Sequence, residues 1–162
     1  YIQNPNRNVV RMLLKTLAYE HQDDMLPAKW EIEHIFPQKW QTNYFPDEPD
    51  ATIKEKIEHI GNKLPFEKKL NIVAGNGYFG KKKKEYTASK IVITKAMGTS
   101  DVMDWNLESI TKRDIRVSDE VVKIMNRWNN EYLNTPVSEG KAGEPSEEEL
   151  AQIEKFKKNG WI

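Results

Sequence analysis

A histidine directly follows a glutamate near the end of an alternating apolar segment, where Glu33 and His34 precede Pro37. Two asparagines, Asn62 and Asn71, come later in the chain and lie nine positions apart. An imidazole can accept a proton near neutral pH, and carboxylate and amide oxygens are ligands that Mg²⁺ prefers. These residue types therefore predict a magnesium site beside a phosphodiester, at which a water molecule is deprotonated.

Charge is distributed unevenly along a chain whose formal net charge is zero. Residues 17–53 carry eight acidic and two basic side chains, a net of −6, whereas residues 54–95 carry eleven lysines and four glutamates, a net of +7. A chain with segregated charge can bind a polyanion through one face. The run from Lys81 to Lys84 is the densest basic segment, and it is either a DNA contact or a solvated helix face.

Composition excludes several kinds of site and bounds the size of the domain. The 162 residues include no cysteine, so disulfides, thiolate zinc sites and cysteine nucleophiles are excluded. No apolar run reaches the length of a membrane span, so no membrane contact is expected. A cytoplasmic location is expected instead. A chain of this length is large enough for one domain with a buried core. It begins at Tyr1, which indicates a fragment of a longer protein.

Hydrophobic spacing predicts an α+β fold that is mostly α-helical. The first half should contain a helix over residues 6–20, a strand over residues 30–35, a long loop over residues 41–52 and a helix over residues 52–59. Residues 63–66 and 71–73 are predicted to be the two strands of a hairpin. Glu33, His34, Asn62 and Asn71 should therefore lie on predicted strands or on the loops next to them.

The second half is predicted to be helical up to a linker. A helix should begin near Tyr78 and carry the lysine run, and further helices should cover residues 89–97, begin at Asn106, and cover residues 118–128. The division that follows is residues 1–134 as the main domain, 135–145 as a linker rich in Gly, Pro and Ser, and 146–162 as a helical appendage. Ser146 and Glu149 have the spacing of a capping box for that last helix.

Three segments, residues 33–38, 60–64 and 70–71, resemble the HNH, or His-Me finger, endonucleases in sequence and order. More specifically, they resemble the C-terminal nuclease domain of GmrSD-type modification-dependent restriction enzymes. The resemblance covers roughly residues 5–130. Further similar positions are Gly75, Asn76, Phe79, Lys82, Tyr86, Ser89, Trp105, Ile110, Arg113 and Trp128. It implies a ββα-metal core embedded in a helical domain.

The resemblance also implies a role for each candidate residue. His34 matches the general base and Asn62 the middle asparagine, which braces the loop and orients the histidine. Glu33 and Asn71 match the metal ligands, for Mg²⁺ or Mn²⁺. The expected products are a 5′-phosphate and a 3′-hydroxyl.

The remaining residues have supporting roles in this interpretation. Lysines 81 to 84 would contact DNA phosphates, because the helix of a ββα-metal fold lies against the cleaved strand. Asn76 and Arg113 are candidates for support of the site, although a turn asparagine and a core-closing arginine are the ordinary alternatives. His59 is expected to be a structural residue at a helix end. Glu67 is expected to be a solvent-facing strand residue, with assistance to the metal as the alternative, and His21 has no assigned role.

The function predicted first is a metal-dependent DNA endonuclease from a restriction or phage-defence system. An N-terminal, nucleotide-dependent sensing domain of the parent protein is the expected partner, together with DNA. A single site nicks one strand, so double-strand cleavage would need two copies, as in a homo-oligomer, or two events. The alternatives are a nucleic-acid-binding module that keeps the fold without cleaving, and a structural interaction domain.

Overall fold

Seven α-helices and one two-stranded sheet make up the part of the chain that the computed structural model describes, residues 7–41, 48–134 and 147–158. The strands are β1, Trp30–His34, and β2, Lys63–Glu67. The helices are α1 Arg7–Glu20, α2 Asp50–Ile57, α3 Lys68–Ala74, α4 Phe79–Thr87, α5 Val92–Thr99, α6 Leu107–Asn134 and α7 Glu147–Lys158. A short 3₁₀ helix, Ile60–Asn62, precedes β2. The predicted α+β class with mostly helical content is confirmed.

The two strands are antiparallel and place the ends of the candidate motifs side by side. Trp30 lies opposite Glu67, and His34 lies opposite Lys63. β2 is almost entirely buried because α1, α3 and α5 all pack against it. Thr94 on α5 also donates a hydrogen bond from its hydroxyl to the carbonyl of Pro65. The sheet is therefore a buried support, and β1 carries its site residues to the end where the strand stops.

The predicted hairpin between residues 63–66 and 71–73 is wrong, because β2 continues directly into helix α3. The apolar residues after β2 have helical spacing: Leu70 packs against the core and Ala74, four positions later, is buried. Ile72 and Val73, whose β-branched side chains favour strands, are exposed on the opposite face. Helical packing of Leu70 and Ala74 thus overrides the local strand preference.

The two helices predicted from Asn106 and over residues 118–128 are one continuous helix, α6. Ser118 followed by acidic residues has the composition of a helix start, but the inward-facing stripe passes through it without a break. Its buried members, Ile110, Arg113, Val117 and Ile124, lie at helical spacing. Burial of this stripe stabilises the helix across the serine.

The main core lies between the sheet and helices α2, α4 and α6. Aromatic rings form its centre: Phe79 lies 5.8 Å from Trp105 and Tyr86 lies 5.2 Å from Phe66, between ring centroids. A second cluster joins α1 to the start of β1 through Leu14 and Trp30. Packed aromatic rings therefore support β1 from the two hydrophobic clusters.

The chain divides into two compact units, Tyr1–Met125 and Asn126–Ile162. The first contains every predicted site residue, and the described part of the second comprises the end of α6 and α7. The division into residues 1–134, 135–145 and 146–162 stays a prediction, and its linker lies outside the described residues, as does part of the loop predicted over residues 41–52. None of the described helices combines the length and the apolar character that a membrane span needs.

Gly61 provides a test of the packing between the 3₁₀ helix and α6. A Cβ atom there would overlap the carbonyl oxygen of Ile110 and lie 2.6 Å from Oδ1 of Asp114. We expect Gly61→Ala to lower the free energy of unfolding by roughly 1–3 kcal/mol, measured by urea denaturation. The control is Gly80→Ala on α4, where a Cβ meets nothing within 4 Å and should leave stability equal or slightly higher. Equal stability of the two variants would contradict this packing.

Candidate active site

A polar cavity of about 240 Å³ lies where the end of β1 meets α3 and α4. Its lining includes both residues of the Glu-His pair together with Asn71, Asn76 and Lys82. The other lining residues are Ile32, Gln38 and Gly75. Five residues to which the sequence analysis gave a role in the site therefore border one cavity, although Asn71 lies 37 positions after His34.

Glu33 is held by a buried lysine and a buried tyrosine of α4. Its Oε1 accepts hydrogen bonds from Nζ of Lys82 at 2.6 Å and from the hydroxyl of Tyr86 at 2.8 Å. Burial lowers the pKa of Lys82 and raises the pKa of Tyr86, while the nearby Glu33 charge favours the ammonium form of Lys82. Among the described residues, none provides a hydrogen-bond partner for the second oxygen, Oε2, of Glu33.

The geometric difficulty of the Glu-His pair is that adjacent strand residues point to opposite faces. The strand stays regular through His34, which pairs with Lys63, and the chain bends at the next residue. The backbone thus leaves the extended conformation after the pair rather than within it. Lys82 connects the two residues, because its Nζ also donates to the carbonyl of His34.

The His34 ring is oriented by an acidic residue that the sequence did not single out. Its Nε2 lies 3.3 Å and 3.4 Å from the two carboxylate oxygens of Glu58. Glu58 in turn accepts a hydrogen bond from Nζ of Lys63 at 2.8 Å. The His34 side chain is 17% exposed, and the part of the chain described here supplies no hydrogen-bond partner for its Nδ1.

Asn62 is completely buried, and its amide braces the segment that follows His34. Its Oδ1 accepts from the backbone N–H of Phe36 at 2.7 Å and from the indole N–H of Trp105 at 3.2 Å. Its Nδ2 donates to the carbonyls of Phe36 and Ile57 at 3.1 Å and 3.0 Å. All the polar capacity of this side chain is used within the fold, as a bracing residue requires, and no atom is left for a ligand.

Asn71 and Asn76 border the cavity from α3 and the turn after it. Asn71 is half-buried, and no described residue is a partner of its side-chain amide. Asn76 has a different use, because its amide accepts from the N–H of Lys39 at 3.1 Å and donates to the carbonyl of Lys39 at 2.7 Å. Asn76 therefore fixes the loop after Pro37, whereas Asn71 presents its amide to the cavity.

Arg113 supports the site from α6 through three backbone carbonyls. Its Nη1 donates to Ile60, Gly61 and Lys63 at 3.1, 2.9 and 2.9 Å. Burial lowers its pKa to about 10, so it remains charged at neutral pH. Asp114 completes this support. Its Oδ2 lies 2.6 Å from Nδ1 of His59, and its Oδ1 accepts a hydrogen bond from the N–H of Gly61 at 2.6 Å.

The four lysines of the run on α4 differ in their exposure to solvent. Lys81 and Lys84 are exposed, whereas Lys82 is 1% exposed and belongs to the Glu33 pair. Lys83 is half-buried and donates to the carbonyls of Ser100 and Val102. Lys82 is therefore a buried partner of Glu33 that also lines the cavity, and phosphate contact by the four lysines stays a prediction.

Sequence reasoning missed Glu58, Lys63 and Tyr86 as partners of the site residues. Tyr86 lies four positions after Lys82 and seven after Phe79, so helical spacing alone places these three on the buried face of α4. No comparable signal exists for Glu58, whose contact with His34 depends on how α2 meets the sheet. Glu67 also has a structural use: its oxygens accept from the hydroxyl of Ser89 and the N–H of Lys90.

Besides the amides of Gln38 and Asn76, the cavity is lined by one carboxylate (Glu33), one imidazole (His34) and the amide of Asn71. Among the described residues, no group of three or more His, Cys, Asp and Glu side chains is arranged to hold a metal ion. Hard oxygen donors with few protein ligands suit Mg²⁺ or Mn²⁺, which take their remaining ligands from water and phosphate. Oε2 of Glu33 and the amide of Asn71 fit that requirement, since both belong to lining residues and neither has a hydrogen-bond partner among the described residues.

The fold and the cavity define a helix-rich α+β domain in which a histidine, a carboxylate and side-chain amides line one cavity at the end of an antiparallel strand pair. The model of the family described as GmrSD restriction endonucleases, C-terminal domain, matches residues 1–117 of the 162. The chain belongs to this family, and the predicted family is confirmed. The chain is thus a restriction-endonuclease domain. No curated protein and no solved structure matches it.

The contacts of Glu58 predict a specific pH dependence of the folding stability. Its hydrogen bonds to His34 and Lys63 lower its pKa from 4.5 to about 2. Because the folded state lowers this pKa, the ionised Glu58 stabilises the folded protein above pH 4.5, and this stabilisation is lost as pH falls towards 2. Glu58→Gln lacks the carboxylate, so the difference in free energy of unfolding between parent and variant should shrink as pH falls across this range. Urea denaturation at a series of pH values measures it, and a difference independent of pH would contradict the ion pair.

Proposed function

We propose that this domain is a metal-dependent DNA endonuclease that hydrolyses phosphodiesters at the cavity, with His34 as general base. The observation that carries the proposal is the meeting of Glu33, His34 and Asn71 at one cavity, each with a polar atom that no described residue pairs. Family membership supports the reaction class. The fixed partners around these residues support their preorganisation.

The residues of the chain would divide the work as follows. His34 accepts the proton of the attacking water at Nδ1, the ring nitrogen that faces away from Glu58. Oε2 of Glu33 and the side chain of Asn71 would hold Mg²⁺ or Mn²⁺. When bound, that ion would stabilise the negative charge that develops on the phosphate oxygens. Lys82 and Tyr86 hold the Glu33 carboxylate in a fixed position through its Oε1.

Asn62, Asn76 and Arg113 act at a distance from the reacting atoms in this proposal. Asn62 fixes the backbone after His34, and Asn76 fixes the loop at Lys39. Arg113 fixes the chain that leads into β2, whose first residue lies opposite His34. Each of them therefore limits the movement of the base relative to the carboxylate.

DNA contact is proposed for Lys81 and Lys84, which are exposed on α4 beside the buried Lys82. Lysine contacts to phosphate contribute affinity without reading sequence. Recognition of modified DNA is accordingly proposed for another domain of the parent protein, a nucleotide-dependent sensing domain that precedes this one. Such an assembly would serve a modification-dependent restriction system directed against phage DNA, and a homo-oligomer would allow double-strand cleavage.

Nicking of supercoiled plasmid in Mg²⁺ or Mn²⁺ tests the proposal with a matched pair of variants. His34→Ala should reduce the nicking rate about 100-fold or more, because it removes the base. His21→Ala is the control, since His21 is exposed and pairs with Glu120 far along the chain from the cavity residues. It should nick at the parent rate.

Two outcomes would contradict the proposed role. Equal nicking by His34→Ala and the parent would remove His34 from the mechanism. Salt-sensitive DNA binding by the parent, without nicking in either metal at high protein concentration, would instead support a non-cleaving nucleic-acid-binding module. Thermal denaturation of each variant ensures that the comparison is made between folded proteins.

A further inference from the structure

The contact between Glu58 and His34 determines which nitrogen of the imidazole carries the proton. A carboxylate only accepts hydrogen bonds, so a neutral imidazole whose Nε2 lies 3.3 Å and 3.4 Å from the Glu58 oxygens is favoured with its hydrogen on Nε2. The lone pair is then on Nδ1, for which the described residues provide no partner. The contact thus favours the one tautomer that leaves Nδ1 basic.

Lys63 holds Glu58 in the orientation that this contact needs. Its side chain is 4% exposed, and its Nζ donates to Oε2 of Glu58 at 2.8 Å and to the Glu58 carbonyl at 2.7 Å. Lys63 also lies directly opposite His34 in the sheet. The ammonium, the carboxylate and the imidazole therefore form a short chain of contacts anchored at both ends on paired strand residues.

We propose that Glu58 is a positioning residue of the active site, which fixes the His34 tautomer so that Nδ1 is the nitrogen that accepts the proton. This inference rests on the proposed function, in which His34 is the general base. Glu58 touches neither the phosphodiester nor the attacking water, and it acts through His34. The arrangement requires a carboxylate, because its two oxygens must accept from Lys63 and from the imidazole together.

Replacement of Glu58 by glutamine reverses the direction of the hydrogen bond between residue 58 and the imidazole, which donates this bond in the parent and would accept it in the variant. The Lys63 ammonium has only donors, so the glutamine oxygen is drawn to it and the amide NH₂ is turned towards His34. An NH₂ group donates, and it therefore favours an unprotonated Nε2 with the hydrogen on Nδ1. Glu58→Gln keeps the shape of the side chain but occupies the basic nitrogen. Glu58→Ala removes the partner and leaves both tautomers accessible.

The first measurement is ¹⁵N NMR of histidine-labelled protein, in which the two ring nitrogens of a neutral imidazole have distinct shifts. We expect hydrogen on Nε2 of His34 in the parent, hydrogen on Nδ1 in Glu58→Gln, and a mixture in Glu58→Ala. This readout needs neither metal nor DNA. An unchanged His34 tautomer in Glu58→Gln would overturn the proposal.

The second measurement is plasmid nicking by the same proteins. Because its base is blocked, Glu58→Gln should lose about 100-fold or more in kcat with little change in KM, and it should be slower than Glu58→Ala. A role in stability alone predicts the reverse order, since glutamine still accepts from Lys63 and alanine does not. Equal rates for the parent and Glu58→Gln, or a slower Glu58→Ala, would overturn the proposal.

The two measurements separate this inference from the proposed function. A tautomer that follows residue 58, in a protein whose nicking does not depend on His34, would show that the general-base assignment had failed while the contact itself was present. Loss of nicking in His34→Ala with no tautomer change in Glu58→Gln would support the nuclease assignment and contradict the positioning role of Glu58.

Discussion

The buried amide of Asn62 is the interaction on which the site geometry depends. It joins the end of α2, the segment after β1 and the indole of Trp105 through four hydrogen bonds, with no exposed surface. Since these segments are far apart in sequence, loss of the amide would leave several buried backbone groups unpaired at once. Because Glu58 directly follows α2 and His34 is the last residue of β1, the same amide sets the distance between the imidazole and its carboxylate.

A buried charged pair then gives the site its second fixed element. Burial of Lys82 and Glu33 has a desolvation cost that their attraction offsets only with good geometry and additional hydrogen bonds. Tyr86 and the carbonyl of His34 provide those bonds. Both contacts use one oxygen of Glu33, Oε1, so they fix the orientation of a carboxylate that lines the cavity. Stability alone would be served as well by apolar residues of similar volume.

Much of this arrangement could be predicted from sequence, and the failures have identifiable causes. The apolar periodicity of α1 and the alternation of β1 predicted those elements. The residue types of Glu33, His34, Asn62 and Asn71, together with the family resemblance, predicted one site, and of these four Asn62 does not line the cavity. Ile72 and Val73 favoured a strand locally, but the packing of Leu70 and Ala74 decided for a helix. The four lysines look alike in sequence, and only the phase of α4 against the sheet separates Lys82 from its neighbours. The Glu58 contact depends on tertiary structure and left no local signal.

The central claim is that Glu33, His34 and Asn71 converge on one cavity that binds a divalent cation. Paramagnetic broadening of amide resonances during Mn²⁺ titration of the ¹⁵N-labelled protein, without DNA, tests it most directly. The account predicts that the Asn71 side-chain amide and the Gly75 backbone amide broaden first, and that Asn71→Ala weakens the effect at Gly75. Broadening that begins instead at the exposed acidic residues Asp23 and Asp24, and that is equal in parent and variant, would contradict it.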